Sequence, residues 1–309
     1  MAISNSTNPD FPSPSPLRIL VTGASGFVGL PTTQALIRRG HRVIAAAHIL
    51  MPDLPAHPQL QWIKWDATEE PLPQIEWDGL DAILHLAIPC GHFAFPDAVP
   101  ALFETTVASV HRLYQEAYRR GVQRVLIAST GDVLGSREQP AAEDDFLYQP
   151  DTFYGTAKAC AELFARFYQS HLTSSILRFY HPYGPGGDRF LINQMIRWIA
   201  EGREIAVEGA EGIRLNPVWV EDLAQGVCLA VEKGMSGIFH FGGPDYLSLR
   251  QLADMIGSIM NKKPIITSKD VPCIQRHAGA FAETSRLLDY HPQTSIRAGL
   301  EKLIELKMK

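Results

Sequence analysis

Tyr154-Gly155-Thr156-Ala157-Lys158 places a phenol and an ammonium four residues apart, so a helix through them carries both on one face. A free tyrosine, with a pKa of about 10, is a poor base at neutral pH. A neighbouring ammonium favours the phenolate, which makes Tyr154 a candidate acid/base with Lys158 as its partner. Ala128-Ser129-Thr130-Gly131-Asp132 ends an apolar run. A hydroxyl there can hold a substrate oxygen on which charge changes. Thr130 is the first choice, Ser129 the second, and a capping or turn role competes for Ser129. A third group is Thr22-Gly23-Ala24-Ser25-Gly26-Phe27-Val28-Gly29. Gly23 allows a tight turn out of a strand, Gly26 lets the backbone approach a pyrophosphate, and Gly29 lets a helix pack on the sheet. The helix start then offers N–H groups and a positive dipole end to phosphates.

These groups need strand ends and helix starts to hold them. Leu17–Thr22 reads as a buried strand, followed by the glycines and a helix to Arg39. Strands are expected at Arg42–Ala47, Trp62–Trp65, Asp81–Leu86, Val122–Ser129 and Ser175–Phe179. Helices are expected at Ala101–Arg120, closed by Gly121, and at Tyr154–His171. Alternating strands and helices predict an α/β protein with a Rossmann, doubly wound parallel sheet. After Tyr180 the chain turns to loops, with a helix at Leu191–Glu201 and a strand then helix over Asn216–Glu232. The expected division is a disordered tail at 1–16, a dinucleotide-binding domain at 17–180 plus about 216–240, and a smaller C-terminal α/β substrate-binding domain at 181–215 plus 241–309.

The chain has 309 residues, 20% of them charged, and a net charge of -5. No basic stripe marks a nucleic-acid partner. No apolar run reaches the roughly 18–20 residues that span a bilayer. The Pro- and Ser-rich start lacks the basic and apolar regions of a secretory signal. Cys90, Cys160, Cys228 and Cys273 form no CxxC pair, so no metal site is expected and reduced thiols in the cytoplasm fit best.

Together the motifs resemble the extended short-chain dehydrogenase/reductases of the NAD-dependent epimerase/dehydratase kind. TGASGFVG resembles that family's TGxxGxxG, DAILHLA (Asp81–Ala87) its DxxxHLA, and Trp65-Asp66 the place where an acidic residue meets adenine. STGDVLG (Ser129–Gly135) resembles its Ser/Thr strand end, YGTAK matches YxxxK, and LRFYHPYGPG resembles LRxxNVYGPG. Similar segments run from about 17 to 300 in family order. The resemblance implies hydride chemistry at a nicotinamide, with Thr130, Tyr154 and Lys158 catalytic. It implies cofactor contacts from Gly23, Ser25, Gly26, Phe27, Val28, Gly29, His48, Asp66, Ala67, Leu86 and Ala87, besides Tyr154 and Lys158. It also implies a homodimer paired through the helices at Ala101–Arg120 and Tyr154–His171.

The departures set the expected substrate and cofactor. His181 stands where sugar-nucleotide enzymes usually have Asn. Leu215 stands where they often have Arg, with Arg214 one place earlier. Gly131-Asp132 replaces the acidic pair of the 4,6-dehydratases, which argues against dehydration. The diphosphate of a nucleotide sugar would be met by His181, Arg189, Arg214 and Arg276. Ala47 occupies the place, about 20 residues after the fingerprint, where an acid normally takes the NAD ribose. His48 sits where the family's NADP-users often carry Arg. The expected cofactor is NAD, slightly favoured over NADP. The leading expectation is an epimerase-like enzyme acting on a nucleotide sugar. A ketone or aldehyde reductase and a non-catalytic dinucleotide sensor are the alternatives. His85 and His92 are read first as packing or loop residues, with His92 a minor substrate candidate and Asp132 an exposed carboxylate or a neighbour of the chemistry.

Overall fold

The computed structural model describes residues 15–49, 57–68, 74–92, 94–137, 139–270 and 276–308. All but the last two residues of the expected disordered tail, and Cys273, lie outside these. The first half alternates β1 (Arg18–Thr22), α1 (Gly29–Arg38), β2 (Arg42–Ala47), β3 (Leu60–Lys64), β4 (Ala82–His85), α2 (Val99–Phe103), α3 (Ser109–Arg120), β5 (Arg124–Thr130), α4 (Phe153–Tyr168) and β6 (Thr173–Phe179). The second half adds α5 (Leu191–Ala200), β7 (Glu204–Glu208), β8 (Arg214–Leu215), α6 (Val220–Lys233), β9 (Gly237–Phe241) and β10 (Leu247–Ser248). It ends with α7 (Leu249–Met260), β11 (Ile265–Lys269), β12 (Arg276–His277), α8 (Ala282–Leu288) and α9 (Ile296–Met308).

Seven strands form one sheet in the order β3-β2-β1-β4-β5-β6-β9, every pair parallel. Helices cover both faces, which is why the central strands β1, β2 and β4 are apolar on both sides rather than alternating. Ile19 and Val21 of β1 join Leu36, Val227 and Phe241 on one face. Leu20 faces Leu113, Tyr114 and Ile176 on the other. A third cluster joins α5, α7 and α9 through Ile196, Leu252 and Leu300. The strand order reverses between β1 and β4, so a crevice opens at their carboxyl ends.

Two expected elements differ. The helix expected at Ala101–Arg120 begins at Val99 and is interrupted by a π-turn at Glu104–Ala108. The turn directs the Thr105 carbonyl to two side-chain donors, His85 Nε2 at 3.1 Å and the Ser109 hydroxyl. The strand expected at the start of Asn216–Glu232 is absent; after the two-residue β8 only the helix α6 forms. Pro217 has no N–H to donate to a ladder. The Asn216 side chain bonds the Gly279 backbone instead, with Nδ2 2.9 Å from its oxygen.

A polar row crosses the sheet beneath the crevice. Ser129, Arg178 and His240 are register partners on β5, β6 and β9. Glu162 of α4 closes the row, bonded by Arg178 Nε at 3.0 Å and Nη2 at 2.7 Å. Both side chains are fully buried. Removing one partner of a buried pair leaves an uncompensated charge. Arg178→Met should therefore cost about 3–5 kcal/mol in urea unfolding. Arg178→Met with Glu162→Gln should recover most of that loss. Equal stability of the single and double variants would refute this account.

Candidate active site

The crevice begins at the glycine loop. Gly23 has φ +68°, and a Cβ there would lie 2.7 Å from the Ala87 backbone. At Gly29 a Cβ would meet the Gly23 carbonyl oxygen at 2.0 Å. Only glycine fits these two places, so the loop draws tightly around the start of α1. No side chain caps that helix start; Leu30 N is bonded to Gly26 O at 2.9 Å and Thr32 N to Val28 O at 3.2 Å, and the positive end of the helix dipole lies at the loop. This cradle, with room only for backbone, fits a dinucleotide pyrophosphate. Ser25 and Gly26 form the turn, with Gly26 N donating to Gly23 O at 2.9 Å. Phe27 packs on Phe190, ring centroids 4.8 Å apart, which ties the loop to the 184–190 segment.

Beyond the ends of β2 and β3, Asp66 receives Thr68 N at 2.9 Å and Thr68 Oγ1 at 2.8 Å on one oxygen, and His48 Nδ1 at 2.5 Å on the other. These contacts lower the Asp66 pKa against the opposing effect of burial. A carboxylate only accepts, so the shared proton sits on His48 Nδ1. Ala67 is buried, and its carbonyl accepts from Arg112. Leu86 and Ala87 follow β4, with Leu86 N bonded to Thr22 O at 3.1 Å.

The reacting corner lies where β5, β6 and α4 meet. Thr152 caps α4, its hydroxyl accepting from Gly155 N at 3.0 Å. Tyr154 and Lys158 then project into a cavity of about 290 Å³ that Thr130, Asp132, His92 and Val28 also line. Thr130 hydrogen-bonds Tyr154. Lys158 Nζ donates to Ala128 O at 2.8 Å. Burial raises the Tyr154 pKa, the charge of Asp132 raises it further, and the Thr130 bond opposes both. The sequence-based expectation of a phenolate favoured by Lys158 is thus corrected: burial and Asp132 keep the phenol protonated. Burial also pulls Lys158 down to about 8, with Glu162 opposing. Low dielectric penalises both charged forms.

The other candidates sort clearly. Ser129 donates to Glu162 at 2.5 Å, so its hydroxyl is engaged away from the role considered for it. His85 is buried between Thr22 Oγ1 at 2.7 Å and the Thr105 carbonyl. Burial holds its pKa at about 3, so it is a neutral packing residue. His92 lies against Tyr154, ring centroids 4.9 Å apart and planes tilted by 49°, and burial lowers its pKa. His181, at φ +46°, and Arg189 both line the cavity. Arg214 and Arg276 lie elsewhere, as register partners on β8 and β12, and the Arg214 guanidinium sits 5.9 Å above the Tyr246 ring.

Several lining residues were not foreseen in the sequence. Ile88, Phe179, Tyr180 and Leu191 give the cavity apolar walls. Tyr180 is wedged so closely that a Cβ at Gly131 or Gly279 would fall 2.4 and 2.3 Å from its ring. Glu162 was also missed, although its spacing, four residues beyond Lys158, was a visible signal. Among the described residues no cluster of His, Cys, Asp and Glu suits a metal ion, and no helix is long and apolar enough to cross a membrane.

Comparison with known proteins gives concordant results. The model of the NAD dependent epimerase/dehydratase family matches residues 19–241. The dTDP-4-dehydro-6-deoxyglucose reductase of Escherichia coli is 26% identical, across 93% of this chain and 96% of that protein. A 3β-hydroxysteroid dehydrogenase/Δ5→4-isomerase of Mycobacterium tuberculosis is 30% identical, across 69% of this chain and 60% of its own length. The crystal structure of DesIV, a dTDP-glucose 4,6-dehydratase of Streptomyces venezuelae solved with NAD, superposes with a TM-score of 0.83. It is 25% identical and covers 94% of this chain and 97% of that one.

The His48–Asp66 arrangement bears on cofactor choice. No carboxylate at Ala47 repels a 2′-phosphate, and no Arg clamps one. NAD and NADP should therefore bind with dissociation constants within about a hundredfold, or about 2.7 kcal/mol, of each other, with NAD the tighter. Fluorescence titration of both cofactors checks this, and a larger gap would contradict it.

Proposed function

The chain belongs to the NAD-dependent epimerase/dehydratase family, and from that premise we propose that it modifies a nucleotide sugar by epimerase-like hydride transfer. The observation that carries this reading is the Thr130, Tyr154 and Lys158 cluster lining one cavity to which Val28, at the end of the glycine loop, also contributes. The bound nicotinamide supplies a hydride acceptor and donor. Tyr154, once it has lost its phenol proton, takes the proton of a sugar hydroxyl as that carbon is oxidised, and returns it to the carbonyl oxygen in the reverse half of the cycle. Thr130 holds the same oxygen. Lys158 places positive charge near the phenol when the proton has left. His181 and Arg189, which line the cavity, meet the diphosphate; Arg214 and Arg276, on β8 and β12, do not line it. The likeness to a dTDP-sugar reductase along nearly all of both chains supports a nucleotide-sugar substrate.

The proposed division puts 17–180 plus about 216–240 in the nucleotide-binding part and 181–215 plus 241–309 in the substrate-binding part. Within the latter, α8 lies back against β9 and α6. The free thiols Cys90, Cys160 and Cys228 fit a reducing, cytoplasmic setting.

A second reading rests on the apolar cavity walls and on the steroid dehydrogenase likeness. In it the substrate is a neutral ketone or aldehyde. Two variants separate the readings from each other and from a cofactor sensor. Tyr154→Phe should lower turnover by about 10²–10⁴-fold while NAD binding is kept. Arg189→Ala should raise KM for UDP- or dTDP-hexoses with a loss of about 1.5–3 kcal/mol, and leave neutral ketones unaffected. Turnover of ketones alone would leave the reductase reading, and unchanged turnover in Tyr154→Phe would remove Tyr154 from the chemistry.

A homodimer is part of the proposal. Tyr118 of α3 and Leu163 and Phe167 of α4 are 58%, 53% and 65% exposed, and together offer an apolar surface for a second copy. Phe167→Glu should shift the protein to monomer in sedimentation. A parent protein that already sediments as a monomer would sink this part.

A further inference from the structure

Tyr154, Lys158 and Glu162 follow one another at single-turn spacing on α4, so all three lie on one face. The first two reach the cavity. Glu162 sits one turn deeper and is fully buried. Its carboxylate receives four bonds: Ser129 Oγ at 2.5 Å and Arg178 Nε at 3.0 Å on one oxygen, Arg178 Nη2 at 2.7 Å and Tyr148 OH at 3.0 Å on the other. Four donors match the lone-pair capacity of a carboxylate, so Glu162 cannot turn away without leaving a partner unmet. Arg178 is fixed in turn by Asp145 O at 3.2 Å and His240 Nε2 at 3.4 Å.

The bond from Ser129 has a further effect. Ser129 stands between Ala128, whose carbonyl accepts from Lys158, and Thr130, which bonds Tyr154. Holding Ser129 therefore sets both neighbours. Tyr180, which lines the cavity, is also reached from this row, its hydroxyl 3.5 Å from His240 Nδ1.

We propose that Glu162 is the positioning residue of this site: its carboxylate, fixed by Arg178, holds Lys158 and the end of β5 in the arrangement that Tyr154 requires. This rests on the reading of Tyr154 and Lys158 as a working pair. Glu162 touches neither substrate nor cofactor; it acts through Lys158 and Ser129. Its negative charge also opposes the burial that draws Lys158 down to about 8. The other groups around Lys158 are Tyr154 on its own helix, His85 and His92 from the β4 side, and Asp132 after β5. Both histidines are shifted toward their neutral forms, Lys158 contributing to each shift. Arg178 and Tyr148 stand behind Glu162.

The test is the protonation midpoint of Lys158, followed by the NMR shift of its labelled Cε in the full chain. The signal is assigned by its loss in Lys158→Met. No substrate is needed, so the outcome is independent of which sugar the protein accepts. In Glu162→Gln the midpoint should fall by about one pH unit, because the charge favouring the ammonium is gone. Tyr148→Phe keeps that charge and should leave the midpoint in place. If Glu162→Gln fails to fold, Glu162→Gln with Arg178→Met leaves no buried charge unpaired, and the same fall is expected in it. An unmoved midpoint in a folded variant, with only the melting temperature lowered, would make Glu162 structural and overturn the proposal.

Discussion

A carboxylate and a guanidinium removed from water are stable only when each lone pair and each N–H finds a partner. The four bonds that Glu162 accepts and four of the five Arg178 N–H groups are met by contributions from α4, β5, β6, β9 and the segment around Asp145 and Tyr148. These elements come from distant parts of the chain, and the geometry of one pair obliges them to converge. The reacting corner lies one helical turn above. Its Thr130, Tyr154 and Lys158 therefore inherit their placement from a hydrogen-bonded polar knot, not from packing alone.

The two ends of the crevice are specified by opposite means. At the glycine loop the chain excludes side chains, because backbone meets backbone at Gly23 and Gly29. Affinity there comes from N–H groups and a helix dipole, which need no titratable residue. At the reacting corner the side chains carry the chemistry, and burial sets their protonation. The same low dielectric that keeps Tyr154 a phenol makes Lys158 easy to discharge. A single carboxylate nearby shifts that balance more than it would in water, because little solvent screens it.

Much of this was legible in the sequence, and the reason is local. The buried parallel strands declare themselves as apolar runs, and TGASGFVG needs only its own residues to form a turn before a helix. The Tyr154–Lys158 spacing fixes a common face whatever the helix packs against. The glycine fingerprint, the order of elements, the pair at Tyr154 and Lys158, and the family likeness were therefore all within reach.

Other features depended on contacts between distant segments. The π-turn at Glu104–Ala108 exists where the Thr105 carbonyl meets His85 from another strand. Asn216-Pro217-Val218 reads as a strand but gives its side-chain bonds to Gly279, 63 residues on. Sequence ranks Thr130 ahead of Ser129 but shows no contact of either; Glu162 engages Ser129 and leaves Thr130 to Tyr154. His181 and Arg189 line the cavity, while Arg214 and Arg276 are register partners in a different sheet. The protonation of Tyr154 likewise follows from burial and from Asp132, neither of which a spacing of four residues encodes. Sequence by itself determined the elements and the common face of Tyr154 and Lys158, since both follow from periodicity along the chain. Tertiary structure alone decided which hydroxyl, which cations and which charge states serve the site, since those depend on what distant residues bring within hydrogen-bond reach.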